Sequence, residues 1–129
     1  MSRMIMTVRR VTQMNNMYTK KAETLLKDLD LYRNSIEYYS AIKDCAELNL
    51  RQLKEIDKKE KYLRRTVSAT EHAMTFLDDT EREILTRLYI NKDMAVDDLC
   101  ELCALERSSI YRYRSSGLRK IAKAVYGEE

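Results

Sequence analysis

Apolar residues recur every three or four positions along most of the chain, which is the spacing of one face of an α-helix. A first series has heptad-like spacings of 4, 3, 4 and 3, and a second series follows it. The two series predict amphipathic helices across residues 18–76. Their members are Leu25, Leu29, Tyr32, Ile36 and Tyr39 in the first, and Leu50, Leu53, Ile56, Leu63, Val67 and Phe76 in the second.

The two series leave open whether residues 18–76 form one rod or a hairpin of two helices. One helix over this range would be about 90 Å long at about 1.5 Å per residue, which is unusual for so small a protein. No glycine or proline marks a turn, but the apolar register is lost within residues 44–49, where Asn49 is suited to end a helix. We therefore predict two antiparallel helices.

Residues 77–129 are predicted to form a small helical bundle. Thr80 is followed three positions later by Glu83, which is the spacing of a capping box at the start of a helix. A second helix is predicted over Val96–Cys103. The predicted buried residues are Ile84, Leu85 and Leu88 in the first of these helices, and Leu99 and Leu102 in the second.

The last predicted helix follows a turn at 104–106 and has two different faces. One face is apolar with a period near 3.6, through Ile110, Gly117, Leu118, Ile121 and Val125. The other carries guanidinium, hydroxyl and phenol groups. Such a division is typical of a helix-turn-helix, whose second helix enters the major groove of DNA. We assign base reading to Arg107, Ser108, Tyr111 and Arg112, and backbone contacts to Ser109, Arg114, Ser115, Arg119, Lys120 and Lys123.

Positive charge is concentrated on this helix, although the net charge of the chain is only +3. Six basic residues and no acidic residue lie in 107–126, whereas 77–106 hold nine acidic and three basic residues. A basic helix on an acidic support focuses positive potential on one surface, which suits contact with phosphates. The alternative is a solvated amphipathic helix whose charge bias has no function.

Composition favours an all-α protein with one domain, or a small domain with an extension. The 129 residues contain no proline and two glycines, and strands joined by hairpins usually need more turn residues. The chain has no run of about 18 apolar residues, so no membrane span is predicted. No signal peptide is predicted either, and we therefore expect a cytoplasmic protein. Three arginines and no acidic residue in 1–17 predict a flexible basic arm.

The sequence predicts no cofactor, no metal and no enzymatic activity. Cys100 and Cys103 have the C-x-x-C spacing, but further zinc ligands would have to be Cys45 and His72, which are distant in sequence. We predict instead that both sulfur atoms lie on the buried side of their helix. The chain has no glycine-rich phosphate loop and no nucleophile paired with a base.

Several stretches of the second half together resemble the fourth region of bacterial sigma factors. They are Leu77-x3-Glu81-Arg82-x-Ile84-Leu85-x2-Leu88-Tyr89-Ile90, Asp97-Asp98-Leu99, Ser109-Ile110-Tyr111-Arg112 and Leu118-Arg119-Lys120-Ile121. The resemblance implies a helix-turn-helix that reads promoter DNA. The chain length and the helical front half are more similar to phage-encoded regulators of late genes of the ArpU and RinA type. Two residues depart from the pattern: Ala95 stands where such proteins usually place Ser or Thr as a helix cap, and Glu106 stands where Ser often precedes the recognition helix.

Three functions fit these features. The first is a sequence-specific regulator of phage late genes that binds double-stranded DNA in the bacterial host cell, with RNA polymerase as a candidate second partner. The second is a DNA-recognition subunit of a phage packaging machine, similar to a small terminase. The third is a helical interaction module that binds RNA polymerase without reading DNA.

The predicted organisation has three parts. Residues 1–17 are the basic arm, 18–76 the helical hairpin or oligomerisation segment, and 77–129 the DNA-binding unit. A single helix-turn-helix reads only a few base pairs, so we expect a homo-oligomer held by 18–76. The alternative is that the two apolar series of this segment pack on each other within one chain.

Overall fold

A computed structural model describes residues 17–45 and 47–127, and all regular structure in these ranges is helical. The all-α class is therefore confirmed for the described residues. The predicted arm lies outside them, except for Met17, which is already helical. No helix in the described ranges is long and apolar enough to cross a membrane. The helices are α1 over 17–27, α2 Leu29–Cys45, α3 Leu50–Met74, α4 Asp79–Leu85, α5 Val96–Cys103 and α6 Arg107–Tyr126.

The first two helices are nearly continuous. The N–H of Asp28 donates to the carbonyl of Thr24 at 2.9 Å, and the N–H of Tyr32 donates to the carbonyl of Asp28 at 2.9 Å. Both are the i to i−4 bonds of an α-helix, so the backbone carries its hydrogen bonding from α1 into α2.

Helices α2 and α3 run antiparallel, as predicted for this segment. Near the connection, the Lys43 ammonium lies 2.7 Å from the Asp57 carboxylate and 2.5 Å from that of Glu60. At the other end of the pair, Arg33 lies 2.9 Å from Glu71. The earlier residue of α2 thus pairs with the later residue of α3, which is the order that antiparallel packing requires.

Asn49 caps the N-terminus of α3, which starts at Leu50, and does not end α2. Its side-chain oxygen accepts from the Gln52 N–H at 2.9 Å, and the Gln52 side chain accepts from the Asn49 N–H at 3.1 Å. The prediction for Asn49 is therefore wrong. The short polar side chain that suits a helix end is also among the best N-cap groups, because its oxygen satisfies a free N–H of the first turn.

The two apolar series pack on each other. Leu29 and Ile36 of α2 are buried against Val67 of α3, and Tyr32 and Leu63 are half-buried beside them. This cluster is the intrachain packing that we gave as the alternative to an oligomer seam. Several large apolar side chains of the pair nevertheless remain exposed, namely Leu31, Tyr38, Leu50 and Tyr62.

A larger core joins α1 to the C-terminal helices. Its buried members are Ala22 and Leu26 of α1, Ala73 of α3, Leu77, Leu85 of α4, Tyr89, and Leu118, Ile121 and Ala122 of α6. Side chains from both sides of position 77 therefore fill one core, and α6 is held by the front of the chain as well as by α4. The functional division at residue 77 stays a prediction.

Helix α4 is capped by Asp78 and Glu81. The Asp78 carboxylate accepts from the Glu81 N–H at 2.8 Å, and the Glu81 carboxylate accepts from the Asp78 N–H at 3.0 Å. The predicted capping box of Thr80 and Glu83 is wrong, because Asp78 and Glu81 have the same spacing two residues earlier. Glu83 instead pairs with Arg87 at 3.0 Å.

The helix that starts as α4 ends in one π-helical turn, Thr86–Ile90. The N–H of Asn91 donates to the carbonyl of Thr86 at 2.8 Å, five residues back. Lys92 then has a φ of 55°, in the left-handed region, and reverses the chain toward α5. The extra residue of the π turn shifts the helical phase, and Tyr89 within it is buried in the larger core.

Candidate nucleic-acid interface

A short turn joins α5 to α6 at the predicted place. Helix α5 ends at Cys103, and Ala104 has φ 55° and ψ 45°, which is the left-handed conformation. The N–H of Leu105 donates to the carbonyl of Cys100 at 3.1 Å, which closes the end of α5. Glycine usually occupies such a position because it has no Cβ, and another L-residue there costs roughly 1–2 kcal/mol.

At neither N-cap of α5 and α6 does the side chain accept a hydrogen bond from the first turn of the helix. Ala95 has no polar side chain, and its N–H donates to the Asp98 carboxylate at 3.0 Å. Glu106 precedes α6, but its carboxylate accepts no hydrogen bond from the first turn of the helix. The first turns of α5 and α6 therefore have N–H groups that the side chains of their N-cap residues do not satisfy.

Three fully buried residues hold α4, α5 and α6 together. They are Ile84, Leu99 and Ile110, one from each helix. Because this cluster lies beneath the turn, the N-terminal half of α6 has a fixed position relative to α5.

The two cysteines of α5 pack against the same cluster and are half-buried free thiols. Burial raises the pKa of Cys103, which favours the neutral thiol. Leu102 is 51% exposed, so its predicted burial is wrong. The side of this short helix that faces the core is already occupied by Leu99 and the two cysteines. No group of three or more His, Cys, Asp or Glu side chains within 17–45 and 47–127 is placed to hold a metal ion.

The C-terminal half of α6 lies close to α4 at Gly117. A Cβ added there would lie 2.7 Å from Leu85 Cδ1 and 3.5 Å from Glu81 Cβ. The glycine therefore permits a close approach of the two helices, and the predicted apolar face of α6 is buried at Gly117, Leu118 and Ile121.

A buried carboxylate also ties α4 to α6. Glu81 is 1% exposed, and its Oε1 lies 2.6 Å from the ammonium of Lys120. Burial raises the pKa of Glu81, but hydrogen bonds from Lys120, the Ser116 side chain and the Asp78 N–H outweigh it, so the pKa lies below its usual range. Lys120 therefore has a structural partner. The sequence predicts that Lys120 contacts the DNA backbone, but this ion pair leads us to expect that Lys123, and not Lys120, contacts a phosphate.

The four predicted base-reading residues are all exposed, at the N-terminal end of α6. Their placement agrees with the predicted outer face, and their role in DNA recognition stays a prediction. Among the predicted backbone contacts, Arg119 and Lys123 are exposed, whereas Ser109, Arg114 and Ser115 are half-buried.

One stripe of α6 carries three exposed cations. Positions 108, 112, 115, 119 and 123 follow one another at helical spacing along this side. Within the part of the chain that the structure describes, no ion pair involves Arg112, Arg119 or Lys123. By contrast, Lys120 pairs with Glu81, and Arg107 pairs with Asp97.

A second group of side chains forms an array beside this stripe. The Asp97 carboxylate lies 2.5 Å from Nη1 of Arg107, and Nη2 of Arg107 donates to the Tyr111 hydroxyl at 3.1 Å. The guanidinium carbon of Arg107 lies 5.9 Å from the centre of the Tyr111 ring, and that of Arg114 lies 5.4 Å from it. The hydrogen bond with Tyr111 and the charge of Asp97 raise the pKa of Arg107.

Arg114 is the least accessible of these cations. Its Nε is buried and has no hydrogen-bond partner within the described residues. The guanidinium also acts on Tyr89, where burial raises the pKa of the phenol and the charge of Arg114 lowers it. Arg114 therefore packs against the Tyr111 ring as a half-buried side chain, and its guanidinium is less accessible to a phosphate than that of the exposed Arg119.

Two ion pairs divide the basic residues of α6, and neither could be predicted from the sequence. Asp97 and Arg107 are ten residues apart and lie on opposite sides of a turn, and Glu81 and Lys120 are 39 residues apart. Neither spacing is a helical period. The excess of acidic residues in 77–106 predicts an acidic support for the basic helix, but it does not predict which carboxylate pairs with which cation.

Comparison of the chain with protein-family models, curated proteins and solved structures found no match. The function is therefore inferred from the chemistry of the interface and from the sequence resemblance.

Proposed function

We propose that this protein is a sequence-specific DNA-binding transcription regulator whose α6 enters the major groove. The observation that carries the proposal is the stripe of Arg112, Arg119 and Lys123, three exposed cations on a helix that follows a tight turn. Among the described residues, none of the three has a carboxylate partner. Phosphate contacts of such cations release condensed counterions and supply most of the affinity for DNA.

The proposal gives different tasks to the two ends of α6. At the N-terminal end, Arg107, Ser108, Tyr111 and Arg112 contact base edges. Further along, Arg119 and Lys123 contact phosphates. Arginine is suited to the first task because its planar fork matches the paired acceptors of guanine.

We further propose that the regulator is encoded by a phage and acts on late genes in the cytoplasm of the bacterial host. This part rests on the resemblance to the sigma fourth region and to late-gene regulators. RNA polymerase remains the proposed second partner, because the resemblance to the fourth region of sigma factors implies a role beside that enzyme.

The first test selects a preferred DNA duplex from a random-sequence library with the parent protein, and compares it with a scrambled duplex. Changing Arg112 to Ala is expected to reduce the preference for the selected duplex by about 1–3 kcal/mol, because a base contact is lost. Changing Lys123 to Gln is expected to weaken binding to both duplexes and to lower the salt slope by about 0.9.

The matched control is Arg51→Ala, because Arg51 is 90% exposed at the start of α3 and is absent from the interface. This variant should bind both duplexes as the parent does. If the Arg112 variant also behaves like the parent, base reading by this face is refuted. If the parent selects no sequence but binds RNA polymerase, the interaction module is the better description, and a ring assembly in solution would favour the packaging subunit.

A further inference from the structure

Asp97 is an unexpected residue at the edge of this interface. It lies in the first turn of α5, and within the described residues it is the only carboxylate that pairs with any of the four proposed base-reading residues. A carboxylate beside a DNA-binding helix repels the phosphates and reduces the affinity for every DNA sequence. Its presence therefore calls for a compensating role.

The contacts of Arg107 indicate what that role is. Asp97 holds one terminal nitrogen of the guanidinium, and the Tyr111 hydroxyl accepts from the other. Arg114 lies against the same Tyr111 ring, so the partner of Arg107 is itself supported. The guanidinium of an exposed arginine is thus held at both ends, although 58% of the side chain remains accessible.

We propose that Asp97 is a positioning residue that orients Arg107 for reading a guanine in the major groove. This inference rests on the proposed function. Two of the five N–H donors of the guanidinium are occupied by Asp97 and Tyr111, and the remaining donors serve the O6 and N7 acceptors of one guanine. Orientation before binding reduces the side-chain freedom that is lost when the complex forms.

The competing explanation is that Asp97 merely neutralises Arg107 and keeps it away from DNA. The two explanations predict opposite effects of Asp97→Asn on sequence preference. If Asp97 positions Arg107, the variant binds the preferred sequence less selectively. If Asp97 only neutralises Arg107, the released guanidinium strengthens binding and the preference is maintained or increased.

The experiment measures binding of Asp97→Asn to the duplex selected by the parent protein and to its scrambled form, by fluorescence anisotropy. We expect affinity for the scrambled duplex to be equal or higher, because a negative charge is removed. The ratio of the two affinities should fall on the order of tenfold, as for the loss of one oriented base contact. Repeating the selection with the variant should yield a motif that has lost one guanine.

Glu101→Gln is the matched control. Glu101 is exposed one turn further along α5, and the substitution removes the same charge without touching Arg107. It should leave the affinity ratio unchanged. Arg107→Lys provides a second variant that keeps the positive charge, and a lysine ammonium does not reproduce the planar fork. It should lose the same guanine preference, and Asp97→Asn should have no further effect on the ratio in that background.

An unchanged affinity ratio in Asp97→Asn overturns the inference, as does an equal loss of preference in Glu101→Gln. A parent protein that selects no DNA sequence overturns the proposed function itself and is recognised before any variant is made. Asp97→Asn should retain the helical circular dichroism and melting temperature of Glu101→Gln. If it unfolds instead, Asp97→Glu tests the same role, because it keeps the negative charge and displaces the carboxylate by one methylene group. The affinity ratio should fall in this variant also, and an unchanged ratio overturns the inference.

Discussion

Replacing Lys120 with Gln separates the structural from the DNA-binding role of a basic residue in α6. The substitution leaves the buried Glu81 carboxylate with the Asp78 N–H and the Ser116 side chain, and without its cation. A hydrogen bond to a charged group contributes about 1.5–3 kcal/mol. Because 45% of the Lys120 side chain is exposed, solvent screening reduces this value, and we expect a loss of about 1 kcal/mol.

Thermal unfolding followed by circular dichroism measures this loss as a decrease in Tm of about 3–5 °C for a chain of this size at about pH 7. The pH dependence identifies the carboxylate. The folded-state pKa of Glu81 is below its usual range, so its stabilising contribution is complete above the ordinary pKa of a glutamate. That contribution is lost as the pH falls through the folded-state pKa, so the difference in Tm between parent and variant should shrink as the solution is made more acidic.

Lys123→Gln is the control, since the Lys123 side chain has no ion pair within 17–45 and 47–127. The Tm of Lys123→Gln should equal that of the parent. This variant should lower the slope of log K for DNA binding against log salt concentration by about 0.9, whereas Lys120→Gln should leave that slope unchanged. Our reasoning is refuted if Lys120→Gln has the same Tm as the parent at about pH 7. It is equally refuted if the two variants lower the salt slope alike, since Lys120 would then contact a phosphate.

Two further predictions concern the turn and the assembly. Ala104→Gly should raise the free energy of unfolding by about 0.5–1 kcal/mol, because glycine adopts the left-handed conformation without a Cβ clash. Denaturant titration measures this change, and a destabilised variant would contradict the prediction. We propose that the exposed Leu31 and Tyr38 of α2 help to hold a homo-oligomer. Replacing both with Ser should therefore lower the mass measured by light scattering at tens of micromolar protein, and a monomeric parent protein would contradict the proposal.

The fold class could be predicted from the sequence because it depends on periodicity, which is a local property. The absence of proline and the heptad-like series through Leu29 and Ile36 predicted helices. The choice of two antiparallel helices rested on the length of 18–76 and on the loss of apolar register at 44–49. The turn at Ala104 and the buried face through Ile110 were also predicted, because their signals lie within about fifteen residues of one another. What failed was the choice among several capable caps, as with Thr80 in place of Asp78.

The electrostatic pairing within the interface could not be predicted, because it depends on how separate helices pack. Lys120 and Lys123 are equivalent residues in sequence, and only the burial of Glu81 against α6 makes them different. In the same way, Arg107 and Arg112 are both exposed arginines of one face, and only the position of α5 brings Asp97 to one of them. Packing therefore reduces six basic residues to a smaller set that is available to a partner.

The core that spans both halves of the chain also limits how this protein can be divided or recombined. Leu26 of α1 and Leu118 of α6 belong to one buried cluster, although more than ninety residues separate them in sequence. A fragment beginning at position 77 would expose the apolar surface that α1 covers, so α4 to α6 do not form a transferable module. Exchange of binding specificity between related chains is therefore expected through substitutions on the outer side of α6, and any fragment exchange that keeps the fold has to carry α1 with it.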